Sequence, residues 1–173
     1  MLVHTGADRR LAAEHWLLST LADPRKGRAE WQNHGVAVLP LGTLFSAIRL
    51  PGELVLSVTG ARSLPSAQID AVLNDALGGA PVICDPRHKR YYVLVPASVP
   101  TSYRQAVEEW RVADVDALGR GCSLGVPDLE RTQPRAFESY WSVPMESAAM
   151  LGAALTVARF IAAGRHLMAP EQL

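Results

Sequence analysis

The sequence contains little cysteine and has no excess of charge of either sign. Its 173 residues include two cysteines, Cys84 and Cys122, which lie far apart and belong to no CxxC pair. This excludes a zinc site built from cysteines and argues against a disulfide scaffold, so we expect two small buried thiols in a reducing compartment. Lys and Arg total 17, as do Asp and Glu. This balance argues against a surface that binds DNA throughout, but it permits a local basic patch.

No hydrophobic run is long enough to cross a membrane. The most apolar stretch, residues 148–163, is interrupted by Arg159 and is shorter than the ~20 residues that a span needs. Residues 1–8 lack the basic start and apolar run of a signal peptide. We therefore predict a cytoplasmic protein with no membrane partner. A hydrophobic content of 49% excludes disorder of the whole chain.

Hydrophobic periodicity predicts helices and strands within one domain, residues 1–173. Helical patterns cover residues 9–21, 66–77 and 145–163, and Gly164 follows the last as a cap. Short apolar runs predict strands at residues 36–40, 45–50, 81–84, 90–95, 123–126 and 140–143. Residues 53–58 fit a strand or a short helix, and residues 23–28 are predicted to form a basic loop. The ends, residues 1–8 and 165–173, are expected to be frayed.

Turn residues, and one longer polar loop at residues 127–138, predict three pairs of neighbouring strands. They join residues 36–40 with 45–50, 81–84 with 90–95, and 123–126 with 140–143. Several strands end at a proline, which donates no hydrogen bond to a neighbouring strand, and this suggests a single sheet whose strands leave at similar edges. Groups of strands alternate with helices. We therefore predict an α+β fold in which helices pack against a mainly antiparallel sheet.

Carboxylates with metal-ligand spacing are scarce. A two-metal nucleotidyl-transfer site needs two carboxylates at i and i+2 on one face of a strand, with a third nearby. Among the aspartates, only Asp114 and Asp116 have this spacing, and their mostly polar neighbours favour solvated loop residues. The histidines show no zinc-ligand spacing, and no GxSxG nucleophile motif occurs. These patterns assign no metal, no cofactor and no catalytic residue.

The densest positive cluster lies at the tip of the predicted hairpin over residues 81–95. It consists of Arg87, His88, Lys89 and Arg90, and two tyrosines follow directly. Cations beside aromatic rings bind phosphates through charge and bases through stacking. Residues 87–90 are therefore the candidate contact surface for a nucleotide or nucleic acid, and a solvated hairpin tip is the alternative.

Several stretches carry a family resemblance: HGVAVLPL at residues 34–41, RHKRYYVLVP at 87–96, and GCSLGVP at 121–127 with YWSVP at 140–144. They resemble the opening strand, the histidine hairpin and the last strand pair of the N-terminal domain of bifunctional DNA primase/polymerases. This domain is of the archaeo-eukaryotic primase type, and the resemblance is in particular to its divergent short members in actinobacteria. The resemblance implies a primase-like fold in which His88 corresponds to the nucleotide-contacting histidine.

The sequence also departs from that family. The family's first motif is a strand with paired metal-binding aspartates before the histidine hairpin, and residues 36–85 supply no such pair. Asp114 and Asp116 come after His88, so chain order counts against them as substitutes. Pro86 and Arg87 replace the small residues that normally precede the histidine. Without paired carboxylates, phosphoryl transfer loses the metals that stabilise its charge. The resemblance thus implies a fold that has lost its chemistry.

Three hypotheses for function follow. The first is a non-catalytic, regulatory primase/polymerase-like domain that binds a nucleotide, a nucleic acid or a protein partner, with residues 87–90 as its contact surface. The second is an active metal-dependent nucleotidyltransferase that uses Asp114 and Asp116. The third is an interaction scaffold or homodimer, in which the final helix, residues 145–163, leaves an apolar patch exposed for its partner.

Overall fold

The computed structural model describes residues 5–170, which fold into helices and antiparallel strands. The helices are α1 (Gly6–Leu18), α2 (Pro24–His34), α3 (Gly52–Thr59), α4 (Ala67–Ala76), α5 (Val99–Ser102), α6 (Arg104–Trp110) and α7 (Ala154–Met168). The strands are β1 (Val36–Pro40), β2 (Phe45–Pro51), β3 (Val82–Asp85), β4 (Arg90–Pro96), β5 (Asp116–Leu118), β6 (Ser123–Pro127) and β7 (Tyr140–Val143). A short 3-10 turn, Arg111–Ala113, follows α6. The predicted α+β class is confirmed.

Five strands form the main antiparallel sheet in the order β5-β2-β4-β3-β7. β3 and β4 are the predicted hairpin, with Asp85 opposite Arg90 at its tip. β2 borders β4 on the other side and places Arg49 opposite Tyr92. β5 borders β2 and places Asp116 opposite Arg49. The register therefore brings residues from four strands to the same end of the sheet.

β1 and β6 form a separate two-stranded antiparallel sheet, with Leu39 opposite Leu124. The prediction of a single sheet is therefore wrong. The predicted pairings of residues 36–40 with 45–50 and of 123–126 with 140–143 are also wrong. Because β2 has β4 and β5 as its neighbours in the main sheet, β1 pairs with a strand far along the chain. The contact with that distant segment continues past the strand, since the Leu41 N–H donates to the Cys122 carbonyl at 2.9 Å.

The two faces of the main sheet are buried under different layers. One face carries Ile48 and Val93 and packs against α3, α4, α6 and α7. The opposite face carries Ala47 and Leu94 and packs against α1, α2 and the β1–β6 pair. Strands buried on both faces need apolar residues on both sides, and most of β4 meets this requirement. On the second face, however, the end with Arg49 stays partly exposed.

Two helices begin earlier than the apolar pattern predicts, because polar side chains cap their first turns. The Thr5 hydroxyl accepts a hydrogen bond from the Asp8 N–H, and the Asp8 carboxylate accepts one from the Thr5 N–H, so α1 begins at Gly6. The Asp23 carboxylate accepts from the Arg25 N–H, and Pro24 occupies the first helical position of α2. Residues 23–28 are therefore the cap and first turns of a helix, and the predicted basic loop is wrong. The ambiguous segment 53–58 is also helical, within α3.

The final helix begins later and ends later than predicted. Residues 145–153 are not helical, and α7 continues through Gly164 to Met168. Gly164 is not a cap: a Cβ there would lie 2.6 Å from Leu54 Cγ, so this glycine lets α7 pack closely on α3. Residues 6–8 and 165–168, within the ends predicted to be frayed, are helical. Residues 1–4 and 171–173 lie outside the described residues.

Candidate functional site

The tip of the β3–β4 hairpin is a turn that Asp85 holds in shape. Its carboxylate accepts from the His88 backbone N–H (3.3 Å) and contacts Nδ1 of the His88 ring (2.8 Å). Lys89 follows with a φ of +53°, a left-handed conformation uncommon for residues other than glycine. The Lys89 carbonyl accepts from the Gly52 N–H at 2.8 Å, which ties the tip to the start of α3. The turn therefore orients the His88 ring and leaves the side chains of Arg87 and Lys89 exposed.

Successive side chains of a strand point to opposite faces of the sheet, and this divides the two tyrosines after the tip. Tyr91 is fully buried in the core beneath the helices, so it is not available for stacking. Tyr92 points to the other face and is half-buried. The strand register places four charged side chains on that same face, and together with Tyr92 they form what we name the polar row: Asp85, Arg90, Tyr92, Arg49 and Asp116.

The two arginines of the polar row have hydrogen-bonding capacity left over. Arg49 Nη2 donates to Asp116 Oδ2 at 3.1 Å, and Arg111 Nε lies 3.8 Å from the other oxygen of that carboxylate. Arg49 Nε and Arg90 Nη1 are buried, and neither has a hydrogen-bond acceptor among residues 5–170. Buried donors without an acceptor are rare in proteins and costly to leave unpaired. An anion would supply acceptors of the kind that these donors lack.

The pKa of the Tyr92 hydroxyl reflects the charged groups of the polar row. Burial raises its pKa, and the nearby negative charge of Asp85 acts in the same direction. The positive charges of Arg49 and Arg90 oppose this and lower the pKa. Both guanidinium groups are therefore within electrostatic reach of one phenol, which stays protonated at neutral pH and can donate a hydrogen bond.

A cavity of about 490 Å³ opens beside the hairpin tip. His88, Lys89 and Arg90 line one side, and Glu53 at the start of α3 lines another. Arg90 belongs both to this cavity and to the polar row. A ligand in either place would therefore contact residues of the predicted cluster.

The structure places the four predicted residues in two settings. Arg87, His88 and Lys89 are exposed at the tip, whereas Arg90 is half-buried in β4. Sequence reasoning missed Arg49, which lies on a strand far from the tip in sequence. The period-two pattern of residues 90–96 would have placed Arg90 with Tyr92, but no local signal indicates that Arg49 lies beside them.

Asp114 and Asp116 do not form a carboxylate pair. Asp114 is exposed and has a φ of +59° after the 3-10 turn. Asp116 lies in β5 and contacts Arg49 and Arg111, so the prediction of solvated loop residues is wrong for Asp116. Across residues 5–170, no three His, Cys, Asp or Glu side chains come together in a group that could hold a metal ion.

A second polar cluster lies where α4 packs on β7. The Tyr140 hydroxyl donates to the Asp70 carboxylate at 3.0 and 3.1 Å from its two oxygens, and the Ser142 hydroxyl donates to it at 2.6 Å. Burial raises the pKa of Asp70, and the hydrogen bonds from Ser142 and Tyr140 only partly oppose this. The Asp70 cluster thus joins a helix to the sheet.

Cys84 lies near this cluster and is a buried free thiol. Burial raises its pKa to about 12, so it is unreactive, while Cys122 is half-buried.

The outer face of α7 is not a continuous apolar patch. Leu155 is 64% exposed, but Arg159 occupies the same face one turn later. Phe160 and the rest of the apolar face pack into the core. Leu167 and Met168 are exposed at the end of the helix. None of the helices in the described part of the chain combines the length and the apolar character that a membrane span requires.

The resemblance to primase/polymerases rests on the short stretches of sequence given above and on His88 at the hairpin tip. It stays a prediction. In comparisons with known proteins, no family model, no curated protein and no solved structure matches this chain.

Proposed function

We propose that this chain is a non-catalytic, regulatory binding domain for a phosphate-bearing ligand, either a nucleotide or a single-stranded nucleic acid. The ligand would lie along the polar row and the hairpin tip. The observation that carries the proposal is the pair of buried donors, Arg49 Nε and Arg90 Nη1, which lack an acceptor among residues 5–170 and lie on one face with Tyr92. Phosphate oxygens supply the acceptors that these donors lack. The primase/polymerase resemblance implies the same class of ligand.

The charges around the polar row favour an anion. Arg87 and Lys89 are exposed, and neither forms an ion pair within the described chain. The carboxylates of Asp85 and Asp116 are already engaged by His88 and by Arg49. The negative charge of Asp116 is thus balanced by Arg49, and the positive charges of Arg87 and Lys89 are left for a ligand.

Tyr92 supplies an aromatic surface between the two arginines. Base–aromatic stacking contributes ~1–3 kcal/mol per base and tolerates any base. Neither charge nor stacking involves hydrogen bonds to the edges of the bases, which carry the sequence information. We therefore expect binding that is strongly salt-dependent and only weakly dependent on base sequence.

Titrations across a salt series test the proposal. Fluorescence anisotropy would follow a labelled single-stranded oligonucleotide, and calorimetry would follow a nucleoside triphosphate. If Arg87 and Lys89 both contact phosphates of the oligonucleotide, the double variant Arg87→Ala/Lys89→Ala should flatten the slope of log affinity against log salt by about 2. Arg49→Gln and Arg90→Gln should weaken binding of both ligands at every salt concentration.

The matched control is Lys26→Ala/Arg104→Ala, which removes the same two charges from exposed positions on α2 and α6. It should leave the slope close to that of the wild-type chain. Failure of the wild-type chain to bind either ligand at low salt would refute the proposal, as would equal losses in the tip and control variants. Binding of the triphosphate without the oligonucleotide would identify a free nucleotide as the ligand.

A further inference from the structure

Asp116 already forms an ion pair with Arg49, one of the two arginines that the proposed ligand would contact. Its Oδ2 accepts from Arg49 Nη2 at 3.1 Å, and the side chains of Asp116 and Arg49 are 38% and 25% exposed. In the free protein, the carboxylate therefore takes the place at Arg49 that an incoming anion would take. A ligand must either share the guanidinium with Asp116 or displace it.

We propose that Asp116 is a specificity-determining residue, an internal anion that only a phosphate more highly charged than a carboxylate displaces from Arg49. This inference rests on the proposed function. It assigns the site to a terminal phosphate, a phosphomonoester, in preference to the phosphodiester of a continuous strand.

The position of Asp116 makes its displacement feasible. β5 is a three-residue strand at the edge of the main sheet, and an edge strand has a neighbour on one side only. Arg111 Nε lies 3.8 Å from Oδ1 of Asp116. A carboxylate released by Arg49 would therefore keep a positive partner, so the displacement does not leave an unpaired charge.

Charge and oxygen count separate the two kinds of phosphate. A phosphomonoester carries a charge of about −1.5 to −2 at neutral pH and has three strong acceptor oxygens. A phosphodiester carries a single charge and two free oxygens, which gives it little advantage over the Asp116 carboxylate. Once Asp116 moves away, Nη2 of Arg49 becomes available in addition to the two buried donors without an acceptor, Nε of Arg49 and Nη1 of Arg90. A monoester offers these donors one more oxygen than a diester does.

The test compares adenosine 5′-monophosphate with adenylyl-adenosine, whose two nucleosides share one phosphodiester. Calorimetry or an NMR titration would give Kd for both ligands with the wild-type chain, with Asp116→Asn and with the control Asp114→Asn. Asparagine keeps the size of the side chain but removes its charge, and Asp114 is an exposed carboxylate without an ion pair among the described residues. We expect the wild-type chain to prefer the monophosphate. In Asp116→Asn, binding of the dinucleotide should tighten about three- to tenfold, equivalent to ~0.7–1.4 kcal/mol, and more than that of the monophosphate.

A second variant tests whether the gain passes through Arg49. In the Arg49→Gln background, adding Asp116→Asn should give no more than Asp114→Asn gives, because the guanidinium that Asp116 holds is gone. Equal gains from the two asparagine variants in the wild-type background would overturn the inference, since the effect would then be one of general charge. Unchanged selectivity in Asp116→Asn, with the wild-type chain still binding, would overturn it and leave the proposed function standing. No binding to any of these chains would refute both.

Discussion

Replacing Asp70 with alanine removes the carboxylate that accepts hydrogen bonds from two hydroxyls beneath α4. Tyr140 is fully buried and Ser142 is 6% exposed, so neither hydroxyl can easily turn to water. Each buried polar group left without a partner costs ~1–3 kcal/mol. We therefore expect Asp70→Ala to lower the free energy of unfolding by about 3 kcal/mol, or to lower Tm by about 6–12 °C for a chain of this size.

Asparagine at position 70 separates the loss of the acceptor from the loss of the charge. Its amide oxygen can accept from both hydroxyls, and it carries no charge that must be desolvated. Because burial outweighs the hydrogen bonds and raises the pKa of Asp70, ionisation of this carboxyl is less favourable in the folded than in the unfolded chain. At neutral pH we therefore expect Asp70→Asn to be about as stable as the wild-type chain, or more stable.

The direction of that pKa shift also predicts a pH dependence. A carboxyl whose pKa is higher in the folded than in the unfolded chain stabilises the fold fully below its ordinary value of 3.8. That contribution is lost as the pH rises through the folded pKa. The unfolding free energy of the wild-type chain relative to Asp70→Asn should therefore decrease from acid pH towards neutrality. Comparing the two chains cancels the titration of groups that they share.

Urea denaturation followed by circular dichroism measures these differences, and Asp75→Ala is the matched control. Asp75 belongs to the same helix but is exposed. A loss in Asp70→Ala that is no larger than in Asp75→Ala would refute the reasoning, because the two hydroxyls would then have found other partners. A pH dependence that is identical in the wild-type chain and in Asp70→Asn would refute the role assigned to the raised pKa.

Three further variants test other parts of the structure. Lys89→Gly should raise the free energy of unfolding by up to about 1 kcal/mol, because glycine tolerates the φ of +53°. The same variant should weaken oligonucleotide binding. A loss of stability would contradict the first expectation. Gly164→Ala should cost ~1–3 kcal/mol in urea denaturation, since its Cβ would meet the buried Leu54, and a neutral result would show that α7 can shift. Leu155→Asp should change stability by less than ~0.5 kcal/mol and leave the mass in light scattering unchanged. A smaller mass in Leu155→Asp would instead support the hypothesis of an interaction through the final helix.

Features set by neighbouring residues were predictable from the sequence. The β3–β4 hairpin follows from two apolar runs around a short polar turn, and the structure has it with Asp85 opposite Arg90. α4 was predicted for the same kind of reason: Ser66 caps it by accepting from the Ile69 N–H. In both cases the decisive contacts join residues only a few positions apart.

Features set by distant contacts were not predictable. The apolar run of β1 predicts a strand but not its partner, and its real neighbour, β6, lies far along the chain. The beginning of α2 was missed because the helix is mostly polar and its start depends on Asp23 and Pro24 rather than on an apolar face. The predicted end of α7 was wrong because glycine commonly ends a helix, whereas Gly164 lies within α7 and allows close packing on Leu54.

The candidate site shows both kinds of feature. Residues 87–90 are consecutive, so the sequence alone identifies them as a cluster, and their role as a contact surface stays a prediction. Arg49 and Asp116 join this cluster only through the pairing of β2 with β4 and β5. The pairing register, and with it the charge balance of the site, is set by the packing of the whole sheet.

The pairing of β1 with β6 determines when a growing chain can complete its fold. Ala37 and Leu39 of β1 share a core with Leu124 and Val126 of β6, and with Trp141 of β7. During synthesis on the ribosome, the apolar residues of α1, α2 and β1 therefore stay exposed to solvent until β6 and β7 have emerged. Such late closure slows folding and prolongs the risk of aggregation. Nascent chains stalled after β5 should accordingly be good clients for chaperones, whereas chains released after α7 should not.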